Sequence, residues 1–396
     1  MKIDLSGIPM IDNHCHPFPK GREPEHFERN FCTGFLNVPP EDMRNTLYFQ
    51  QTANELRRIL GLGQDASIDE IIEKRNEQAM GNRKEYCRKL FEDAGIVAFL
   101  SDFGFPISRK HHPELALRQE EIDEYYELCG DVKVGSLDRI EWIANRLLDE
   151  ELPFDEFEAR LVKETKEMIE KRNLIGLKSV VAYYTGTDVR PLSQDEFRKG
   201  YYLYLYDRKN WGYEKMIRDF TFIKACEICR DLDIPLQVHT GLGDTPDCHI
   251  VRVNPALLTD CLNDPRCKDT TVILIHGGYP YCEELGMMTN HYPNVYADIS
   301  AVFPFASIGG EEKLRNMLEM APLNKVLFAT DGGLIPENLW FGALNFRRVF
   351  TKVLQDLVDA GYVQYDFAMQ SAENVMHRNV ERVYKRYANC GRYTLL

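Results

Sequence analysis

Short apolar runs rich in β-branched residues recur along the chain at residues 10–14, 96–101, 132–137, 176–182, 236–239, 272–276, 295–298 and 326–329. Each ends in a polar or glycine-containing loop, and most are separated by stretches with helical periodicity, which is the alternation of parallel βα units. Eight such runs predict an α/β fold, a closed (β/α)8 TIM barrel. An open doubly wound sheet would normally carry a glycine-rich phosphate turn after its first strand. The first turn here reads His14-Cys15-His16-Pro17-Phe18 instead.

The spacing between runs is uneven. About eighty residues separate the first run from the second, far more than an ordinary βα loop, and they hold helical patterns near 40–60 and 68–94. The expectation is a single barrel over residues 1–396 with a helical insertion at 17–95. A second excess, at 183–211, carries Gly186, Pro191, Gly200 and the tyrosines Tyr201, Tyr202, Tyr204 and Tyr206. Both leave the C-terminal ends of strands, so on a barrel they stand over the catalytic face. The tyrosine cluster reads equally as a lid wall or as a loop core. A third long segment, 241–271, follows the fifth run, and no internal repeat or low-complexity tract breaks the chain.

Composition narrows the partners. With 48 Lys+Arg against 62 Asp+Glu the net charge is −14, which argues against nucleic acid, because backbone-phosphate binding needs basic groups that release counterions. No run approaches the roughly 18 apolar residues of a membrane span. Residues 1–10 lack a basic region followed by an apolar stretch, so the expectation is a cytoplasmic protein without a membrane partner. The 11 cysteines are an odd number in a long chain, which favours reduced, mostly buried thiols. Cys226-x-x-Cys229 falls on an amphipathic helical stretch with Met216, Phe220 and Ile223. No second pair completes a zinc knuckle, and the motif reads as packing.

The candidate chemistry sits at strand ends. In Ile11-Asp12-Asn13-His14-Cys15-His16, positions i and i+2 of a strand face the same way, so His14 and His16 can share one ion while Cys15 points away. His239 closes the fifth run, His276 closes the sixth, and Asp331 follows the eighth. Any one histidine at the end of a buried strand is more often a hydrogen-bonded core residue. Four of them with a carboxylate at the same end of a barrel suit zinc or another borderline divalent ion. Lys178 stands among apolar neighbours in the fourth run, where burial lowers its pKa toward a nucleophilic amine open to carboxylation by carbon dioxide. A salt-bridged lysine is the competing reading. His26, His111, His112, His249, His291 and His377 lack the strand-end context and read as surface or structural residues.

The ordered set His14-x-His16, Lys178, His239, His276 and Asp331 resembles the amidohydrolase superfamily of metal-dependent TIM-barrel enzymes. Asp12-Asn13-His14-Cys15-His16-Pro17, Leu177-Lys178-Ser179, His239-Thr240-Gly241-Leu242-Gly243-Asp244, His276-Gly277-Gly278-Tyr279-Pro280-Tyr281 and Thr330-Asp331-Gly332 are similar to the amidohydrolase-2 family. They look especially like the hydrolase-like domain that some proteins carry fused to a glutamine-synthetase-like domain, and no synthetase-like segment is expected in these 396 residues. The resemblance implies one or two divalent ions, zinc first, and hydrolysis by metal-activated water with Asp331 as ligand and proton shuttle.

Two ligand arrangements follow from the resemblance. With two ions, His14, His16 and Asp331 hold one, His239 and His276 the other, and carbamylated Lys178 bridges them. With one ion, His14, His16, His239 and Asp331 are the ligands and His276 stabilises charge on the substrate. The two-ion arrangement is favoured. The expected substrate is a small polar molecule with a C–N amide bond and a carboxylate. Arg139 and Glu141, after the third run, are candidate substrate contacts or a local ion pair, and Tyr183, Asp244, Tyr279, Glu337 and Trp340 are candidates from other strand-end loops. The rivals are a mononuclear decarboxylase, a sugar-acid isomerase, and a non-catalytic partner of a glutamine-synthetase-like protein. A symmetric homo-oligomer is common for such enzymes.

Overall fold

The computed structural model describes residues 1–32, 38–104, 116–244 and 248–395. Eight strands run in chain order, each parallel to the next: β1 Met10–Cys15, β2 Ile96–Asp102, β3 Lys133–Arg139, β4 Leu174–Ser179, β5 Leu236–Val238, β6 Val272–Leu274, β7 Val295–Asp298 and β8 Val326–Leu327. Backbone hydrogen bonds from Asn13 N to Phe328 O (2.9 Å) and from Asp331 N to His14 O (2.8 Å) bring the eighth strand back against the first. The result is the α/β TIM barrel that the eight runs predict.

Apolar side chains fill the barrel. Ile11, Leu100, Leu137, Ile175, Ile273, Ile275 and Leu327 form an interior cluster, closed from one end by Val380, Val383 and Tyr384. Each fully buried side chain of this size contributes about 1.5–3 kcal/mol. Gly135 makes the interior possible, since a Cβ there would lie 2.4 Å from Ile175 Cδ1. Gln237 is a buried polar residue on β5, and its amide donates to Asn13 O and Tyr384 OH at 2.7 Å each. The second, larger apolar cluster lies between the strands and the surrounding helices.

The strands end where the site chemistry begins. The fourth run was expected to extend to residue 182, but β4 stops at Ser179 and a short helix, Val181–Tyr184, follows. Glu141 Oε1 accepts from Ser179 Oγ (2.7 Å) and Val180 N (2.8 Å), diverting the backbone from the sheet. The fifth and sixth runs end one and two residues early, at Val238 and Leu274, so His239 and His276 belong to the loops rather than the ladder.

Between β1 and β2 lie the helices Pro40–Arg44, Leu47–Leu60, Ile68–Gly81 and Arg83–Ala94. Their ends are written in the sequence. Thr46 accepts from Phe49 N, Ser67 and Glu70 form a reciprocal capping box, and Gly61 and Gly95 close two helices at φ 71° and 70°. The tyrosines of the second long segment lie on the helix Gln194–Tyr206. Tyr201 is buried against Phe157 and donates to Leu152 O, Tyr204 is buried, and Tyr206 is exposed. That cluster is packing in the helix layer. No helix among the described residues is long and apolar enough to cross a membrane. His111 and His112 lie outside the described residues.

Candidate metal centre

Four histidines and one aspartate converge at the C-terminal end of the barrel. Asp331 Oδ1 stands 3.1 Å from His16 Nε2 and 3.3 Å from His14 Nε2, and its Oδ2 is 3.6 Å from His276 Nδ1. His276 Nε2 in turn lies 2.9 Å from His239 Nδ1. The ligand atoms of His14, His276 and Asp331 all fall within 4.8 Å of one another, the span of a single ion's coordination sphere. His16 joins this group through Asp331, and His239 joins it through His276.

The donors suit a borderline divalent cation. Burial, reinforced by the Lys178 charge, drops the His14 imidazolium pKa to about 3. Burial likewise holds His239 and His276 well below the usual histidine value. Burial thus favours the neutral form, which offers a nitrogen lone pair, in all three rings. His14 Nδ1 and His239 Nε2 are buried without a hydrogen-bond partner, which is costly unless something else occupies them. For Asp331, burial would raise the pKa, but His276 and the hydrogen bonds from His14 and His16 outweigh it and hold the carboxyl ionised.

The backbone is bent to bring the groups together. His276 has φ 68° and Asp331 φ 60°, left-handed values that cost a non-glycine residue about 1–3 kcal/mol. Buried carboxylates hold both turns. Asp298 Oδ1 accepts from His276 N (2.9 Å) and Ser300 Oγ (2.7 Å), and Ser300 Oγ also lies 2.9 Å from His276 Nδ1. Asp12 accepts from His14 N (3.2 Å), Thr330 N (3.0 Å) and Thr330 Oγ1 (2.5 Å), and burial pushes its own pKa up to about 8. Gly243 has no room for a side chain, since a Cβ would lie 2.6 Å from His239 Nε2 and 2.7 Å from Tyr183 OH.

Lys178 points into this group. Its Nζ is 2.9 Å from His14 Nε2 and 3.3 Å from Asp102 Oδ2. Burial lowers its pKa, Asp102 opposes that, and Arg139 assists it. Asp102 was not among the sequence candidates, although it ends β2 just as His239 and His276 end their apolar runs. It accepts from Arg139 Nε at 2.9 Å and sits 3.9 Å from His16 Nδ1.

The proposed substrate contacts separate into two sets. Tyr183 and Asp244 stand beside the centre: the Tyr183 ring packs at a tilt of 56° against His239, 4.5 Å between ring centres, and its OH accepts from Asp244 N at 3.1 Å. Burial and the nearby Asp331 push the Asp244 carboxyl up to about 7. Tyr279 is half-buried at the sixth strand's loop, its backbone pressed on Gly241.

The others serve the scaffold. Arg139 is tied to Asp102, and Glu141 ends β4 as described above. Glu337 is fully buried between Arg75 (2.5 Å) and Tyr86 OH (2.8 Å), and Trp340 Nε1 donates to Asp93 Oδ2 at 2.8 Å. These last two fix the helix Pro336–Asp359 to the insertion. Their partners are so distant in sequence that strand-end placement alone suggested a substrate role.

Known proteins share this architecture. A protein of Lactobacillus casei described as a metal-dependent hydrolase superposes with a TM-score of 0.82 at 23% identity, covering 98% of this chain and 99% of that one. The uronate isomerase of Thermotoga maritima superposes with a TM-score of 0.68 at 13% identity, covering 96% and 95%. At these identities both likenesses concern the barrel fold. Protein fluG of Emericella nidulans is 32% identical over 225 residues, which are 54% of this chain and 26% of that protein, so the match spans about a quarter of the relative's length. The amidohydrolase family model matches residues 11–386, and with the strand-end histidines and Asp331 in place within that span, the chain belongs to the amidohydrolase-2 family.

Proposed function

We propose that the protein is a metal-dependent hydrolase that cleaves the C–N bond of an amide in a small, polar, carboxylate-bearing substrate. The observation that carries this reading is the situation of Asp331. It touches three of the four histidines, yet its side chain is 22% exposed while those of His14 and His276 are 0% and 1% exposed. It is therefore the group that both belongs to the donor set and opens toward the space a substrate enters. An ionised carboxylate there can take a proton from water and return it to a departing amine, a role worth about 100- to 10,000-fold in rate.

A bound divalent ion, zinc by its preference for imidazole and carboxylate donors, supplies activation of water and polarisation of the amide carbonyl. His14, His16 and Asp331 would hold one ion and His239 and His276 a second. Lys178 lies among the donors, where its carbamate would supply a further anionic oxygen ligand. The neutral imidazoles leave their lone pairs free for the metal, and Asp12 and Asp298 keep the ligand-bearing turns from relaxing. The small-molecule scale of the substrate is supported by the −14 net charge, which disfavours polyanions. The similarity to the hydrolase-like domain fused to glutamine-synthetase-like domains motivates γ-glutamyl amides as the first substrates to try.

The test is amine release from γ-glutamyl amides and a wider panel of acyl amides and esters, with protein stripped of metal and then reloaded with zinc. Turnover that appears only on reloading is the expected result. No turnover on any amide, with loss of carbon dioxide from an aromatic or enoic acid instead, would replace hydrolysis by decarboxylation.

A further inference from the structure

Three thiols gather outside the histidine–aspartate group. Cys226, on the helix Trp211–Leu232, faces Cys261 on the helix Thr259–Asn263 and Cys267 in the turn that enters β6. Cys261 Sγ and Cys267 Sγ are 3.4 Å apart, with Cys261 donating, and the Cys226 thiol lies near enough to influence both. All three are 0% exposed, and none is in a disulfide. Cys229, the other half of the Cys-x-x-Cys motif, takes no part: its Sγ faces Pro235 O at 4.0 Å.

We propose that Cys261 and Cys267 are an oxidisable dithiol that closes to an intramolecular disulfide. The turn is already set for closure. Cys267 N donates to Asp264 O (2.9 Å), Asp264 N donates to Cys261 O (3.0 Å), and Thr270 Oγ1 donates to Cys226 O (2.9 Å), fixing the three chain segments together. Contraction from 3.4 Å to a bond of about 2.05 Å asks for side-chain rotation of under about 1 Å per sulfur. The Cys261 thiol donates to the Cys267 sulfur, and its neighbouring thiols lower the Cys267 pKa against its burial, so Cys267 is the sulfur of the pair better placed to attack.

With hydrogen peroxide as oxidant the steps balance. Cys267 sulfur attacks one peroxide oxygen, the O–O bond breaks, and the thiol becomes a sulfenic acid with release of one water. Cys261 sulfur then attacks the Cys267 sulfur, the S–O bond breaks, and the second water leaves with the Cys261 proton. Two thiols and one peroxide thus give one disulfide and two waters.

The test uses the whole folded protein, exposed to a few equivalents of hydrogen peroxide, then alkylated in denaturant and digested with trypsin. Cleavage after Arg266 separates the two cysteines, so the disulfide appears as two linked peptides. The expected result is that this pair is the leading product and forms at least several-fold faster in the folded than in the denatured chain. In Cys261→Ser, a sulfenic-acid trap should label Cys267. Recovery of Cys261 and Cys267 fully alkylated, while the less buried Cys32, Cys248 and Cys390 are oxidised, would overturn the proposal. So would equal rates in the folded and denatured chain.

Discussion

Asp331 Oδ1 and His16 Nε2 lie 3.1 Å apart, joining the loop after β8 to the end of β1 across the point where the barrel closes. In the proposed account this carboxylate is both a ligand and the proton carrier. Asp331→Asn keeps the shape and removes the charge, and it should lower kcat by about 100-fold or more. Steady-state assay of the zinc-reloaded variant, with circular dichroism to confirm the fold, checks this.

Lys178 decides the metal count. Wild-type protein reconstituted with zinc and bicarbonate should hold two ions, and Lys178→Gln should hold one. Metal analysis of the two proteins gives the count, and a carbamate carbon resonance from labelled bicarbonate, present only in the wild type, gives the chemistry. One tightly held ion in the wild type together with no such resonance would leave Lys178 as the ion-pair partner of Asp102.

Gly243 is a spacing residue for His239. In Gly243→Ala the new methyl would collide with His239 Nε2 and Tyr183 OH, both under 3 Å away. Metal affinity should fall by about 10- to 100-fold, the usual cost of disturbing a ligand's support. Competition with a chromogenic chelator measures it, and unchanged affinity would show that His239 does not bind the ion.

The insertion is locked to the barrel by a buried pair. Arg75 and Glu337, 3% and 0% exposed, meet at 2.5 Å, and Arg75 holds Glu337 ionised against the pull of burial. Arg75→Met strands a buried charge and should cost about 3–5 kcal/mol in denaturant unfolding. Replacing both partners by Met removes the stranded charge and should recover a large part of that loss.

The sequence made the barrel legible because parallel strands buried on both faces read as continuous apolar runs, and the polar residue that breaks each run marks its functional end. By that rule His14, His16, His239, His276 and Asp331 stand out in the sequence, and Lys178 stands out as a lysine in an apolar run. Asp102 and Asp298 obey the same rule but are carboxylates at the ends of β2 and β7, and nothing local distinguished them from strand caps. The contacts of Glu337 and Trp340 are hidden in the sequence for a different reason. Arg75 is 262 residues from Glu337 and Asp93 is 247 from Trp340, so only the tertiary docking of the insertion reveals what they hold. Glu141 ends a neighbouring strand, a relation set by β3–β4 pairing rather than by its own surroundings.

Hydrolysis itself is tested most directly by following the oxygen. Zinc-reloaded protein turning over an amide substrate in heavy-oxygen water should release the free amine and place one solvent oxygen in the new carboxylate, with neither product formed by metal-free protein. Carbon dioxide as the product, or a carboxylate carrying no solvent oxygen, would contradict the account.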